Sequence, residues 1–66
     1  MKQSTLNALV RTVEGLQDLA EELYFEFQRA FDNEDYLDAS LLQSRADKLY
    51  EEVISIETVL LELEEE

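Results

Sequence analysis

The sequence predicts an all-α protein: an antiparallel two-helix hairpin of coiled-coil type that dimerises into a four-helix bundle. Three observations carry that prediction. Apolar residues recur at alternating steps of three and four through Leu6, Leu9, Val13, Leu16, Ala20, Leu23, Phe27 and Ala30, and again through Ala39, Leu42, Ala46, Leu49, Val53, Ile56, Leu60 and Leu63. That spacing lays one stripe along each helix. The two stripes also mirror each other. If the chain folds back near residues 33 to 36, Ala30 meets Ala39, Phe27 meets Leu42, Leu23 meets Ala46 and Leu6 meets Leu63, with no residue left over. Finally, proline is absent and glycine occurs once, which suits long unbroken helices and lacks the turn chemistry of a sheet.

The first helix is expected over about residues 4–31, with Ser4 or Thr5 as its cap, because a hydroxyl there can accept a bond from an orphan amide of the opening turn. Asp32-Asn33-Glu34-Asp35 breaks the heptad with residues that favour turns, and Asn33 or Asp35 is placed to start the second helix. That helix is expected over about residues 36–63. Glu62, Glu64, Glu65 and Glu66 crowd negative charge at its C-terminus, where the macrodipole disfavours it, so the end is expected to fray. Across the seam small residues face large ones, Ala20 against Leu49 and Ala46 against Leu23, as close packing rewards.

Sixty-six residues make one domain, read here as residues 1–66. A core this small rarely contributes more than ~3–5 kcal/mol without a disulfide, a metal or a second copy. Cysteine and histidine are both absent, which removes the disulfide and leaves no transition-metal staple. Association is what remains. No apolar run reaches the length of a membrane span and no secretory signal opens the chain, so a soluble, cytoplasmic protein without membrane contact is expected. The formal charge of −12 repels nucleic acid and favours basic protein surfaces.

Beside the seam lies a second apolar set. With seam positions labelled a and d, the e and b positions of both arms fall on one side of an antiparallel hairpin, and there they collect Val10, Tyr24, Phe31, Tyr36, Tyr50, Ile54 and Leu61. The opposite g flank is mostly polar: Thr5, Thr12, Leu19, Glu26, Asp38, Arg45, Glu52 and Val59. In a lone hairpin the first set would expose several hundred Å² of apolar surface, a size that marks interaction sites. Three uses are open: a wider intramolecular core, a homodimer interface, or a seat for a helix of another protein.

The outer surface is acidic. Glu14, Asp18, Glu22 and Glu26 recur every four residues, and Asp47 and Glu51 extend acidity onto the second arm. Like charges at this spacing destabilise a helix by a few tenths of a kcal/mol per pair, which a solubilising or target-binding face would justify. Duplex DNA carries one charge per about 1.7 Å, so a single hairpin is too dilute to imitate it and mimicry would require the dimer. Phe25 points outward among these acids, and with Leu37 and Leu41 it forms a candidate apolar anchor beside Arg29. Gly15, off the seam, leaves room for another helix to approach near Ala8 and Thr12.

Catalysis is not expected. Without histidine or cysteine no nucleophile–base pair can be built. No glycine-rich phosphate loop exists, and Asp32 to Asp38 lacks the alternating ligands and central glycine of a calcium loop. No cofactor, metal or direct nucleic-acid contact is therefore predicted.

Ala46-Asp47-Lys48-Leu49-Tyr50 resembles the second helix of Rop-type plasmid RNA-binding hairpins and that of short, hairpin-shaped aspartyl-phosphate phosphatases. The first likeness implies a dimeric four-helix bundle that binds RNA through a polar, basic first-helix face. Glu14, Asp18 and Glu22 contradict that face. Gln43-Ser44-Arg45-Ala46-Asp47 keeps only part of the phosphatase pattern, so neither activity is carried over. The reading is a small acidic regulator or inhibitor, of bacterial or phage scale, that binds a basic surface of a target protein, a nucleic-acid-binding surface being one such. The alternative is an assembly subunit or small co-chaperone that holds a partner helix against the tyrosine-bearing side.

Overall fold

The computed structural model describes residues 2–64 and consists of two helices, α1 (Gln3–Asp32) and α2 (Tyr36–Glu64), packed side by side. Each is about 45 Å long at 1.5 Å per residue, and together they form a rod of 49 × 16 × 11 Å. The radius of gyration is 15.1 Å, against about 11 Å for a compact domain of this length.

The seam is the one the apolar spacing predicts. Each of its residues is buried or half-buried, and the only other described residues that are not exposed are Gln17, Tyr24 and Tyr50. Ala20, Ala39, Ala46 and Val53 are the most deeply covered. At those layers a small side chain lets the helices approach, and its larger neighbour fills the space. Leu6 and Val10 line one groove with Leu60 and Leu63 at the open end, whereas Phe31 meets Tyr36 across the turn, ring centres 5.5 Å apart. The helices are thus antiparallel and in the expected register. No large side chain among the described residues is completely buried. Two helices alone can cover only one stripe of each.

The ends differ in detail from expectation. Ser4 and Thr5 lie inside α1, and Lys2 is its N-cap, extended at φ −68° and ψ 145°, with no side-chain capping bond. The carbonyl of Lys2 instead accepts from the amides of Thr5 and Leu6 at 3.1 and 3.2 Å. At the other end α1 runs one residue past the predicted 31, which makes Asn33 its C-cap and passes the left-handed position to Glu34, φ +64°. The Glu34 amide donates to Phe31 O at 3.0 Å and the Asp35 amide to Ala30 O at 2.8 Å, the two bonds of a Schellman motif. Asp35, not Asn33, then starts α2, its carbonyl accepting from the Ala39 amide at 2.9 Å. The helix continues to Glu64. Of the four acids expected to fray this end, Glu62 and Glu64 are still helical, and Glu65 and Glu66 lie outside the described residues.

Candidate protein-binding surfaces

Two exposed surfaces carry the chemistry. The first is the broad side bearing the tyrosines. Tyr24 and Tyr50 stack across the seam at 5.7 Å, and the Tyr24 hydroxyl donates to Asp47 Oδ1. From Tyr24 the rings continue through Phe27 at 6.4 Å to Phe31 at 6.1 Å and on to Tyr36. Aromatic pairs in such offset and edge-on arrangements are each worth about 0.5–1.5 kcal/mol beyond their burial. This string covers the turn half of the side. Val10, Ile54 and Leu61 cover the open half, where the groove formed by Leu6, Val10, Leu60 and Leu63 opens on the same side.

Of the seven residues assigned to this side from sequence, Val10, Phe31, Tyr36, Ile54 and Leu61 remain exposed. Tyr24 and Tyr50 are half-buried against each other, so for these two the wider intramolecular core is the outcome. The e and b positions that make up this side carry five charges, Glu14, Glu21, Asp47, Glu57 and Glu64, all of them acidic. The g side has four charges at its eight positions, with Leu19 and Val59 exposed between them. The tyrosine side is set apart by its exposed apolar side chains and not by a lack of charge.

The second surface is the outer edge of α1. Phe25, 64% exposed, lies in a shallow cleft lined by Asp18, Glu21, Glu22 and Glu26. These residues sit at i, i+3, i+4, i+7 and i+8, one continuous strip of helix surface. Sequence reading omitted Glu21, although its spacing from Asp18 and Phe25 was available to find it. Among the described residues one ion pair forms, Arg29 Nη1 to Glu26 Oε1 at 3.2 Å, and it is exposed.

The structure divides two groups that sequence reading had joined. Asp18 and Glu22 share the edge with Glu26, but Glu14 lies at the margin of the tyrosine side, Glu51 on the outer edge of α2, and Asp47 beside Tyr24. A step of four residues drifts around a 3.6-residue helix, so the row winds off one edge. Likewise Phe25 does not meet Leu37 and Leu41. Outward positions of two antiparallel arms point away from each other, and Leu37, 90% exposed, lines a separate hollow with Glu34, Asp35, Tyr36 and Asp38 at the turn. A Cβ at Gly15 would meet nothing within 4 Å, so no helix of this chain uses the space there.

Among the described residues no helix is long and apolar enough to cross a membrane, and no group of three or more acidic, histidine or cysteine side chains could hold a metal ion. Comparison of the chain with protein-family models, with curated proteins and with solved structures found no match in any of the three.

Proposed function

We propose that this chain is a small acidic, non-catalytic regulator or inhibitor that acts as a homodimeric four-helix bundle and engages a basic surface of a target protein. The observation that supports this most directly is the edge of α1, where exposed Phe25 lies among Asp18, Glu21, Glu22 and Glu26. A cationic side chain seated there gains the attraction of the ring face, about 0.5–1 kcal/mol at an exposed site, together with the surrounding negative field. The Arg29–Glu26 pair is exposed and of the kind worth about 0.2–1 kcal/mol, so a base of the target readily replaces it. The absence of histidine and cysteine supports binding rather than catalysis.

Charge density ties this role to the dimer. Twelve net charges along a 49 Å rod give about one per 4 Å, and two rods side by side about one per 2 Å, against about 1.7 Å for duplex DNA. A protein that grips nucleic acid is thus a fitting target for two copies and a poor one for a single copy.

Capture from an extract of the source cell, with the retained proteins identified, tests the reading. Wild type is expected to retain a protein rich in lysine and arginine and to release it between 0.15 and 1 M salt, where the screening length falls from about 8 to about 3 Å. Phe25→Ser and the double variant Asp18→Lys, Glu22→Lys are expected to lose it. Retention by the charge-reversed variant, or a complex indifferent to salt, overturns the proposal. The exposed tyrosine side favours a second reading, a subunit that holds a partner helix there. A target lost with Tyr36→Ser and Ile54→Ser but kept under charge reversal identifies it.

A further inference from the structure

We infer that the tyrosine-bearing broad side seats a basic amphipathic helix of another protein, one whose apolar stripe is flanked by lysine or arginine. The inference rests on the second of the preceding readings, in which a partner helix lies on this side, and supplies that helix's charge and length. Contact between copies is then left to the opposite side, which carries Arg29, Arg45 and Lys48 among its acids.

Charge selects the occupant. The e and b positions of the two arms hold Glu14, Glu21, Asp47, Glu57 and Glu64, and no lysine or arginine occurs among them. Asp47 accepts from the Tyr24 hydroxyl, whereas Glu14, Glu21 and Glu57 are exposed and take no part in the ion pair of Arg29 with Glu26. A second copy laid on this side would set five acids against five with no base between them, and like charges brought face to face oppose docking. Nucleic acid and acidic lipid are repelled for the same reason. An uncharged helix would cover carboxylates without pairing them, at a cost in desolvation. A basic helix answers both the apolar side chains and the acids.

Spacing points the same way. Along α2, Ile54, Glu57 and Leu61 follow at steps of three and four, and along α1 Val10 and Glu14 are four apart. Residues at these steps are neighbours on a helix surface. Ile54, Leu61 and Val10, all exposed, therefore each have a carboxylate one turn away. A partner helix with an apolar stripe and bases three or four residues from it presents the complementary pattern, the mode in which an amphipathic helix lies in a groove. The stems of its lysines or arginines cover apolar surface while their charged heads reach the acids.

Two hollows set the length of the partner. One lies at the open end between Leu6, Val10, Leu60 and Leu63, and the other beside the turn at Phe27, Gln28, Phe31 and Asp32. Val10 and Phe31, the e residues that line them, stand three heptads apart on α1, about 32 Å at 1.5 Å per residue. A single helix that places an apolar side chain in each hollow therefore spans at least three heptads, within the 49 Å length of the rod.

A synthetic peptide of about four heptads, with leucine at a and d and lysine at e and g, is the probe, because its lysines keep it from pairing with itself. Wild type is expected to bind it at least about tenfold more tightly than a shuffled peptide of the same composition that lacks the stripe. Ile54→Ser with Leu61→Ser is expected to weaken binding by about tenfold or more. Glu14→Gln with Glu57→Gln is expected to weaken it about fivefold. Asp18→Gln with Glu22→Gln removes equal charge from the outer edge and is expected to leave it within about twofold. All six side chains are exposed, so each variant is expected to keep the helical circular dichroism of wild type. Equal binding by wild type and the Glu14, Glu57 variant overturns the basic occupant while the seat for a helix stands, provided that the Ile54, Leu61 variant still loses the probe. Binding that ignores the Ile54, Leu61 substitutions, or that the shuffled peptide matches, overturns both. A wild-type dimer that the Ile54, Leu61 substitutions dissociate in sedimentation gives the side to a second copy and overturns the inference.

Discussion

The Tyr24 hydroxyl donates to Asp47 from the other helix, and a phenol bound to a carboxylate holds its proton more tightly. That bond, then desolvation, then the charges of Asp47 and Tyr50 raise the hydroxyl above its ordinary value of 10.0. The neutral form is the one the fold favours, so the bond's contribution is fully present below pH 10 and is lost as pH rises through the higher folded value. In a Tyr36→Phe, Tyr50→Phe background, where Tyr24 alone absorbs as tyrosinate, its midpoint is expected above 10 and to return toward 10 with Asp47→Ala. An identical midpoint in the two proteins would mean that the bond does not form in solution. The heptad placed both residues on one side, at e and b positions. It did not reveal the bond, because side-chain torsions are chosen only once the opposing helix is present.

Helix and turn can be tested by exchanging glycine in opposite directions. Gly15 lies on the exposed surface of α1 with open space around it, so Gly15→Ala is expected to stabilise by about 1 kcal/mol, through helix propensity alone. Glu34 occupies the left-handed region at φ +64°, a position costing an ordinary residue ~1–2 kcal/mol, part of which glycine's own unfolded-state entropy offsets. Glu34→Gly is expected to gain about 0.5–1 kcal/mol. Each kcal/mol raises a thermal midpoint by roughly 4–8 °C in a chain this small, measurable from the loss of helical circular dichroism. A fall on Glu34→Gly would show that the Schellman turn is absent in solution. The spacing read from sequence set the helix limits to within a residue or so, 4–31 and 36–63 against Gln3–Asp32 and Tyr36–Glu64. With α1 ending at Asp32 the left-handed position falls on Glu34, one residue past Asn33, although asparagine is the type that tolerates it better.

Across the full rod, stability comes from one seam, and its alanines set the distance between helices. Ala46 is 0% exposed and faces Leu23, so Ala46→Leu is expected to destabilise by about 1–3 kcal/mol through overpacking. Leu37→Ala, at a side chain 90% exposed, is expected to change stability little. Urea unfolding of the two variants beside wild type makes the comparison. Equal effects would mean that Ala46 does not lie in a closed seam. The same seam explains why so much is left outside: it covers one stripe of each helix, leaving Phe31, Tyr36 and Ile54 more than half exposed.

Repetition along the chain was enough to specify two helices, their register, the seam and the side on which the tyrosines fall, since periodicity converts directly into direction around a helix axis. Folding settled which outward residues share a surface. Asp18, Glu21, Glu22 and Glu26 gather round Phe25, Glu51 and Leu37 face away from them, and Asp47 joins Tyr24. The physical reason is that a linear spacing fixes angles about one helix only. Which angles coincide across two helices depends on their antiparallel packing, which turns the outer edges of the arms in opposite directions.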